Sequence, residues 1–269
     1  MPLKIGNTAV IMPSNIAKVM LGGSQVYAKA SAFLGTITYD DYNISTTSQD
    51  HYLRGLAAYN GKLYMVGEVN EHIYRYSIAA NGDLTYDNYS FDVSTLDHRV
   101  RGLAAYNGKL YFCGLDTDKA FRFTIAANGD LTYDDYSITI TDGNSSPTEL
   151  AAYNGKLYVC GSSTPENIYR YSIDANGDLT YDSGYSFDIS ALEGTPRGLT
   201  AYNGKLFMCG TDADRIDRYS IAANGNLSDD SDPYDTSTLD LGALGLAAIN
   251  GKLYMSGDQY NKIYRFTLS

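Results

Sequence analysis

The chain has 269 residues, 44% of them hydrophobic and 19% charged, which is enough for one large core. Its net charge of −11 excludes general nucleic-acid affinity, which rests on clustered Lys and Arg. No apolar run reaches the roughly 18 residues of a membrane-spanning helix, so membrane insertion is not expected.

Residues 1–33 lie outside the repeat described below and lack the apolar centre and cleavage pattern of a signal peptide. Ile16-Ala-Lys-Val-Met-Leu21, then Gly22-Gly23, then Ser24-Gln-Val-Tyr27 predicts a β-hairpin with a glycine turn. Lys4-Ile-Gly-Asn-Thr8 adds an extended piece. This text resembles short N-terminal modules of bacteriophage virion and tail-associated proteins, in which a Lys-Val-x-Leu-Gly-Ser-x-x-Val pattern is frequent. Here a second Gly precedes the Ser. The resemblance implies an attachment module that binds other virion proteins and supports oligomerisation.

From there one phrase organises the sequence. Ala-Tyr-Asn-Gly-Lys-Leu-Tyr begins at Ala58 and returns four times, with its Asn at 60, 107, 154, 203 and 250. The intervals are 47, 47, 49 and 47 residues. A second phrase, Ala-Asn-Gly-Asp-Leu, keeps the same beat at Asn81, Asn128, Asn176 and Asn224. Self-similarity at this period signals a repeat architecture.

One unit reads as four strands. Gly55–Tyr59 is short and built from small residues. Asn60-Gly61 is the strongest short hairpin signal, since a type I′ turn needs positive φ at both central positions. Lys62–Gly67 and His72–Ile78 follow, then a second Asn-Gly turn, then Leu84–Val93. Four antiparallel strands in about 45 residues match a propeller blade. The last unit stops after its third strand, and Gly35–Ile44 matches the fourth-strand phrase Asp83–Phe91. Residues near 36–45 are therefore expected to complete the last blade, which removes an open sheet edge. Thr36 to Ser269 is 234 residues, or 46.8 per unit. The predicted fold is all-β: a five-bladed β-propeller of four-stranded antiparallel blades over 34–269, closed by an N-terminal strand, with the small hairpin module over 1–33. Five blades of this period resemble the tachylectin type, which implies amino-sugar binding between blades. That family's repeats carry Trp, and this chain has none.

Two charged positions recur in every unit: Arg75, Arg122, Arg170, Arg218 and Arg265 in the third strand, and Asp40, Asp87, Asp134, Asp182 and Asp229 in the fourth. They are read as structural cross-strand pairs. Lys62, Lys109, Lys156, Lys205 and Lys252 follow the inner turns, where they would ring the axis or solubilise the turns. Cys113, Cys160 and Cys209 occupy one repeated position before a Gly, so they are read as buried free thiols. Most of the 26 Tyr fall at repeated strand positions and read as core.

Variation is confined to one face. Both turn sets lie on a bottom face and are nearly identical. The loops between second and third strands, and between blades, lie on the top face and differ. Loops on a rigid scaffold commonly carry binding. The candidate ligand residues are therefore Arg54, Arg101 and Arg197, which enter three inner strands, with His51, His98, Glu68, Asp116, Asp118, Asp212, Asp214, Asp258 and Tyr260. Arg suits carboxylate and phosphate through its planar fork. No metal or cofactor motif is present, and neither is expected.

The functional expectation is a non-enzymatic virion protein, with residues 1–33 for attachment and the variable top face for a host-surface glycan or protein. A free carbohydrate-binding lectin is the alternative. The Tyr-Ser-Ile-Ala-Ala-Asn-Gly-Asp-Leu-Thr phrase is similar to hairpins of lactonase-type propellers, which have seven blades. No nucleophile–base pair accompanies it.

Overall fold

The computed structural model describes residues 35–140, 146–162, 166–190, 196–210, 214–230, 232–239, 242–257 and 259–269, with the backbone of four short N-terminal strands. Backbone contacts divide the chain into Met1–Leu34 and Gly35–Ser269. In the first unit, β1 (Lys4–Ile5) pairs antiparallel with β2 (Thr8–Ala9), and β3 (Lys18–Leu21) with β4 (Ser24–Tyr27).

The second unit is a five-bladed propeller. Blade 1 is β6 (Leu53–Tyr59), β7 (Lys62–Gly67), β8 (His72–Ile78) and β9 (Leu84–Asp92). Blade 2 is β10 (Val100–Tyr106), β11 (Lys109–Gly114), β12 (Lys119–Ile125) and β13 (Leu131–Thr139). Blade 3 is β14 (Pro147–Tyr153), β15 (Lys156–Gly161), β16 (Asn167–Ile173) and β17 (Leu179–Asp188). Blade 4 is β18 (Pro196–Tyr202), β19 (Lys205–Gly210) and β20 (Arg215–Ile221), whose outer edge pairs with both β21 (Leu227–Asp229) and β22 (Tyr234–Asp235). Blade 5 is β23 (Ala243–Ile249), β24 (Lys252–Gly257), β25 (Lys262–Leu268) and β5 (Ile37–Ser45). The expected closure is present, in the register Leu268↔Ile37 to Lys262↔Ser45.

Local chemistry sets each blade. Asn60 and Gly61 both take positive φ, 46° and 72°, as a type I′ turn requires. The outer turn differs: Gly82 is left-handed, at 89°, while Asn81 accepts the Asp83 N–H at 3.1 Å. Each full fourth strand carries a bulge, marked by left-handed Asp41, Asn88, Asp135 or Gly184. The bulge lets two residues of β9 serve Arg75. Asp87 Oδ2 lies 2.7 Å from its Nε, and the Tyr89 ring lies 4.1 Å from its Cζ.

This node is larger than the expected Arg–Asp pair. Lys62 Nζ donates to the same Asp87 Oδ2 at 2.8 Å and to Ser77 Oγ at 2.8 Å. The repeated lysines therefore do not ring the axis; each is paired with its fourth-strand Asp. In blade 4 the partner of Arg218 and Lys205 is Asp230, not Asp229. Asp230 stands three residues after Leu227, as Asp87 does after Leu84.

The node also ties blade to blade. Arg75 Nη1 reaches Asp130 in the outer hairpin of blade 2 at 2.6 Å, and Tyr64 Oη donates to the Gly129 carbonyl at 2.8 Å. Leu131 N–H donates back to Tyr89 Oη at 2.7 Å. The Tyr-to-Gly bond recurs at Tyr111–Gly177, Tyr158–Gly225 and Tyr254–Gly82. Blade 4 is the exception, because its neighbour's outer hairpin is replaced by the junction of Ser269 with Thr36, paired through Thr36 N–H to Ser269 O at 2.9 Å. There Phe207 stands for Tyr, Thr36 stands for the hairpin Asp, and Arg218 turns to Asp232 of its own blade. The core fills the wedges between blades, as in the cluster of Tyr64, Val66 and Ile73 with Leu103, Phe112 and Phe123.

Two outcomes follow. Phe207→Tyr places a hydroxyl beside Gly35, the counterpart of the turn glycines. It is expected to stabilise the ring by about 1 kcal/mol, read by denaturant titration. The second concerns acid. Burial would raise Asp40, Asp87, Asp134, Asp182 and Asp230, but their Lys, Ser or Thr, and Arg bonds hold all five below the ordinary 3.8. A folded value below the unfolded one gives stability that is present above 3.8 and lost as pH falls through the depressed values. Melting temperature should therefore drop below about pH 4. Asp134→Asn should be less stable than wild type at pH 7 and converge with it in acid.

Candidate functional site

At the top of the axis the five blades stop being alike. In four inner strands a glycine faces the next blade. A Cβ on Gly55 would sit 2.3 Å from the Arg101 carbonyl, and one on Gly245 2.0 Å from that of Arg54. Only glycine permits this approach. The axial channel below is lined by Leu56, Ala58, Leu103, Leu150, Leu199 and neighbouring small residues, and its ≈ 40 Å³ holds a few waters at most.

Three guanidinium groups gather at that face. Arg54 on β6 donates through Nε to Glu68 Oε2 at 3.0 Å, and its Nη2 bonds the same oxygen. Arg101 on β10, 7% exposed, grips Glu68 with Nη1 to Oε2 at 3.1 Å and Nη2 to Oε1 at 2.9 Å. Arg197 on β18 is half-buried and close enough for its charge to act on Arg101. Burial, with the Arg54 charge, pulls the Arg101 guanidinium below its ordinary value, although Glu68 opposes this. Burial alone would raise the Glu68 carboxyl, but Arg54 and Arg101 reverse this and hold it low. One carboxylate thus bridges two guanidiniums, Arg54 and Arg101.

The remaining candidates sit around this cluster in different ways. Asp116 pairs with exposed Arg99, Nε to Oδ1 at 2.5 Å. Asp118 and Asp214 are left-handed loop residues, and their carboxylates accept the N–H groups of Ser146 at 2.7 Å and Gly242 at 3.0 Å. Those bonds tie the loop between second and third strands to the chain entering the next blade. His51 is exposed, and exposed His98 has Nδ1 3.3 Å from Glu71 Oε1. Among the described residues no three His, Cys, Asp or Glu side chains converge as a metal site. Tyr260 is exposed beside Lys262. Asp212 and Asp258 lie outside the described residues. The three cysteines are buried free thiols.

Two features escaped the sequence reading. Asp50 and Asp97 are buried beneath the top loops. Asp97 accepts from Arg99 N–H, Thr117 N–H and Thr117 Oγ1 at 2.8–3.0 Å. The other is Glu149, which replaces the axial glycine in blade 3. It is fully buried, and its Oε1 accepts the N–H groups of Leu103 at 2.7 Å and Leu150 at 3.0 Å. Its Oε2 has no partner among the described residues. Burial pushes this carboxyl well above the ordinary range, and Cys113 and Cys160 beside it are raised by burial and by its charge. The text Pro-Thr-Glu-Leu, against Arg-Gly-Leu in three other units, is the signal that would have found it.

No protein-family model matches the sequence. No curated protein is significantly similar to it. Solved structures share the fold. A glutaminyl cyclase from Myxococcus xanthus is 13% identical with a TM-score of 0.59, over 87% of this chain and 96% of the other. The PQQ-bound aldose sugar dehydrogenase of Streptomyces coelicolor is 13% identical at 0.54, over 89% and 100%. A putative 6-phosphogluconolactonase from Bacteroides uniformis is 11% identical at 0.50, over 79% and 65%. These likenesses show the fold alone. They correct the expectation of a non-enzymatic protein, because structures of this architecture carry enzyme names. The physical reason is that a propeller assembles its site from loops of separate blades. The lack of a local nucleophile–base motif therefore excludes nothing.

Glu149 gives a test with a definite sign. Its folded value lies above the unfolded 4.5, so its contribution is full below 4.5 and is lost as pH rises toward the folded value. Glu149→Gln, which keeps the acceptor for Leu103 and Leu150, should raise the melting temperature at pH 8 and change it little at pH 4.5.

Proposed function

We propose that the protein is a ligand-binding propeller whose top axial face takes an anionic group on Arg54, Arg101 and Arg197. The observation that carries this reading is the Arg54–Glu68–Arg101 triad: two guanidiniums share one carboxylate, with the Arg197 charge near enough to act on Arg101, in a chain of net charge −11. An acidic protein that gathers cations at one point focuses its field there and draws anions to it. Planar forks already seated on a carboxylate show which group they fit. Glu68 holds the place that a ligand's own carboxylate or phosphate would contest.

The N-terminal resemblance supplies a setting for this site. In it, residues 1–33 bind other components of a phage particle and the top face meets an anionic component of the host surface. Mass spectrometry of purified particles checks the setting separately from the site, and stoichiometric copies of the chain are expected there.

The site itself is tested by thermal shift with citrate, phosphate and sulfate. A ligand that binds only the folded state raises the melting temperature with its concentration. Wild type should show a rise that Arg101→Ala loses and Glu68→Gln enlarges. An equal rise in Arg101→Ala would refute the site.

A further inference from the structure

Among the described residues three large hydrophobic side chains are exposed: Tyr52 at 54%, Val69 at 53% and Tyr260 at 52%. Two of them adjoin Arg54 or Glu68 along the chain, and the third lies across the blade seam. Tyr52 precedes Arg54 by two residues, and its carbonyl accepts the Glu68 N–H at 3.2 Å. Val69 follows Glu68. Tyr260 belongs to blade 5, but its neighbour Asn261 accepts the Tyr52 N–H through Oδ1 at 3.0 Å. The Arg54 backbone abuts blade 5 as well, where Ser256 Oγ donates to its carbonyl at 3.1 Å. The chain at Tyr52 and the loop of Tyr260 therefore meet at the seam of blades 5 and 1, where Arg54 enters β6.

Tyr52 is also held in an unfavourable backbone. Its φ is 55°, a region that a bulky residue rarely enters. The same loop bond identifies the equivalent position as Arg99 in blade 2, which is not left-handed, and as Ser146 in blade 3, with φ 70°. In blade 5 it is Gly242, with φ 83°. Glycine fits this conformation without strain, yet blade 1 keeps a tyrosine whose ring packs on little. Strain of this kind gathers at ligand-contacting positions.

We propose that the ligand of the top face is an acidic saccharide, its carboxylate on Arg54, Arg101 and Arg197 and its ring faces stacked on Tyr52 and Tyr260. The inference rests on the anion-binding reading above and adds the ligand's second half. Tyrosine offers a sugar both an apolar face and a hydroxyl, while the cluster demands a negative group. Neutral sugars satisfy the first requirement only, and simple carboxylates only the second.

The test is a glycan array of uronate- and sialate-bearing oligosaccharides with their neutral counterparts, followed by titration of the best binder against wild type, Arg101→Ala and Tyr52→Gly. Signals are expected on acidic glycans and not on neutral ones. Tyr52→Gly should weaken binding about tenfold while leaving the melting temperature unchanged or higher, which separates ligand contact from folding. Citrate binding with no acidic glycan above the neutral set, or with Tyr52→Gly binding the glycan as well as wild type, would overturn the saccharide and leave the anion site standing. Failure of every anion would overturn both.

Discussion

The fold depends on one ionic node repeated around the ring. A third-strand arginine holds the aspartate of its own fourth strand, in blades 1, 2, 3 and 5 stacks on the tyrosine beyond the bulge, and in blades 1, 2 and 5 also pairs with the next blade's hairpin aspartate. In blade 3 the hairpin partner is Asn226. A propeller blade has little to hold it to its neighbour except wedge packing and such nodes, because no backbone ladder crosses between blades. The fourth-strand aspartates are largely buried, so each must be paired, and loss of one partner would strand the other at a cost of about 3 kcal/mol. That constraint explains why Lys, Arg, Ser or Thr, and Asp recur together, and why the bulge accompanies them.

Where the ring is sewn shut, the node changes in step with the chain. Phe207 takes the place of a tyrosine, and Thr36 the place of an aspartate, at the one junction where the neighbouring outer hairpin is replaced by two strand ends. The repeat is thus degenerate for a reason. A second set of departures, at the top of the axis, has no such structural cause. Arg54, Arg101 and Arg197 face Thr148 and Leu244 at equivalent positions, and Glu149 interrupts the axial glycines. Repeated residues build the ring, and unrepeated ones give it a single polar end.

The sequence made much of this legible. Each Asn-Gly turn and each phrase length is local, so strands, blade number and the closing strand follow from spacing alone. The arginines of the site were visible because they break a repeated position. Glu149 breaks the neighbouring position just as plainly, but its meaning depends on burial against Leu103 of the preceding blade. Tyr52 reads as one more tyrosine among 26 until its left-handed backbone and exposure are known. The misplacement of the fourth-strand aspartate at 229 came from two adjacent aspartates, which only the register separates.

By itself, then, the sequence determined the period, the antiparallel blades and the closure, because hairpin chemistry acts between residues a few positions apart. Tertiary structure alone decided that Glu68 lies between Arg54 and Arg101, that Tyr52 is bonded to Asn261, and that Glu149 is sealed from water. Arg54 and Glu68 are 14 residues apart in one blade, but the other partners come from different blades, up to 209 residues apart. Only the closed ring sets the distances between them.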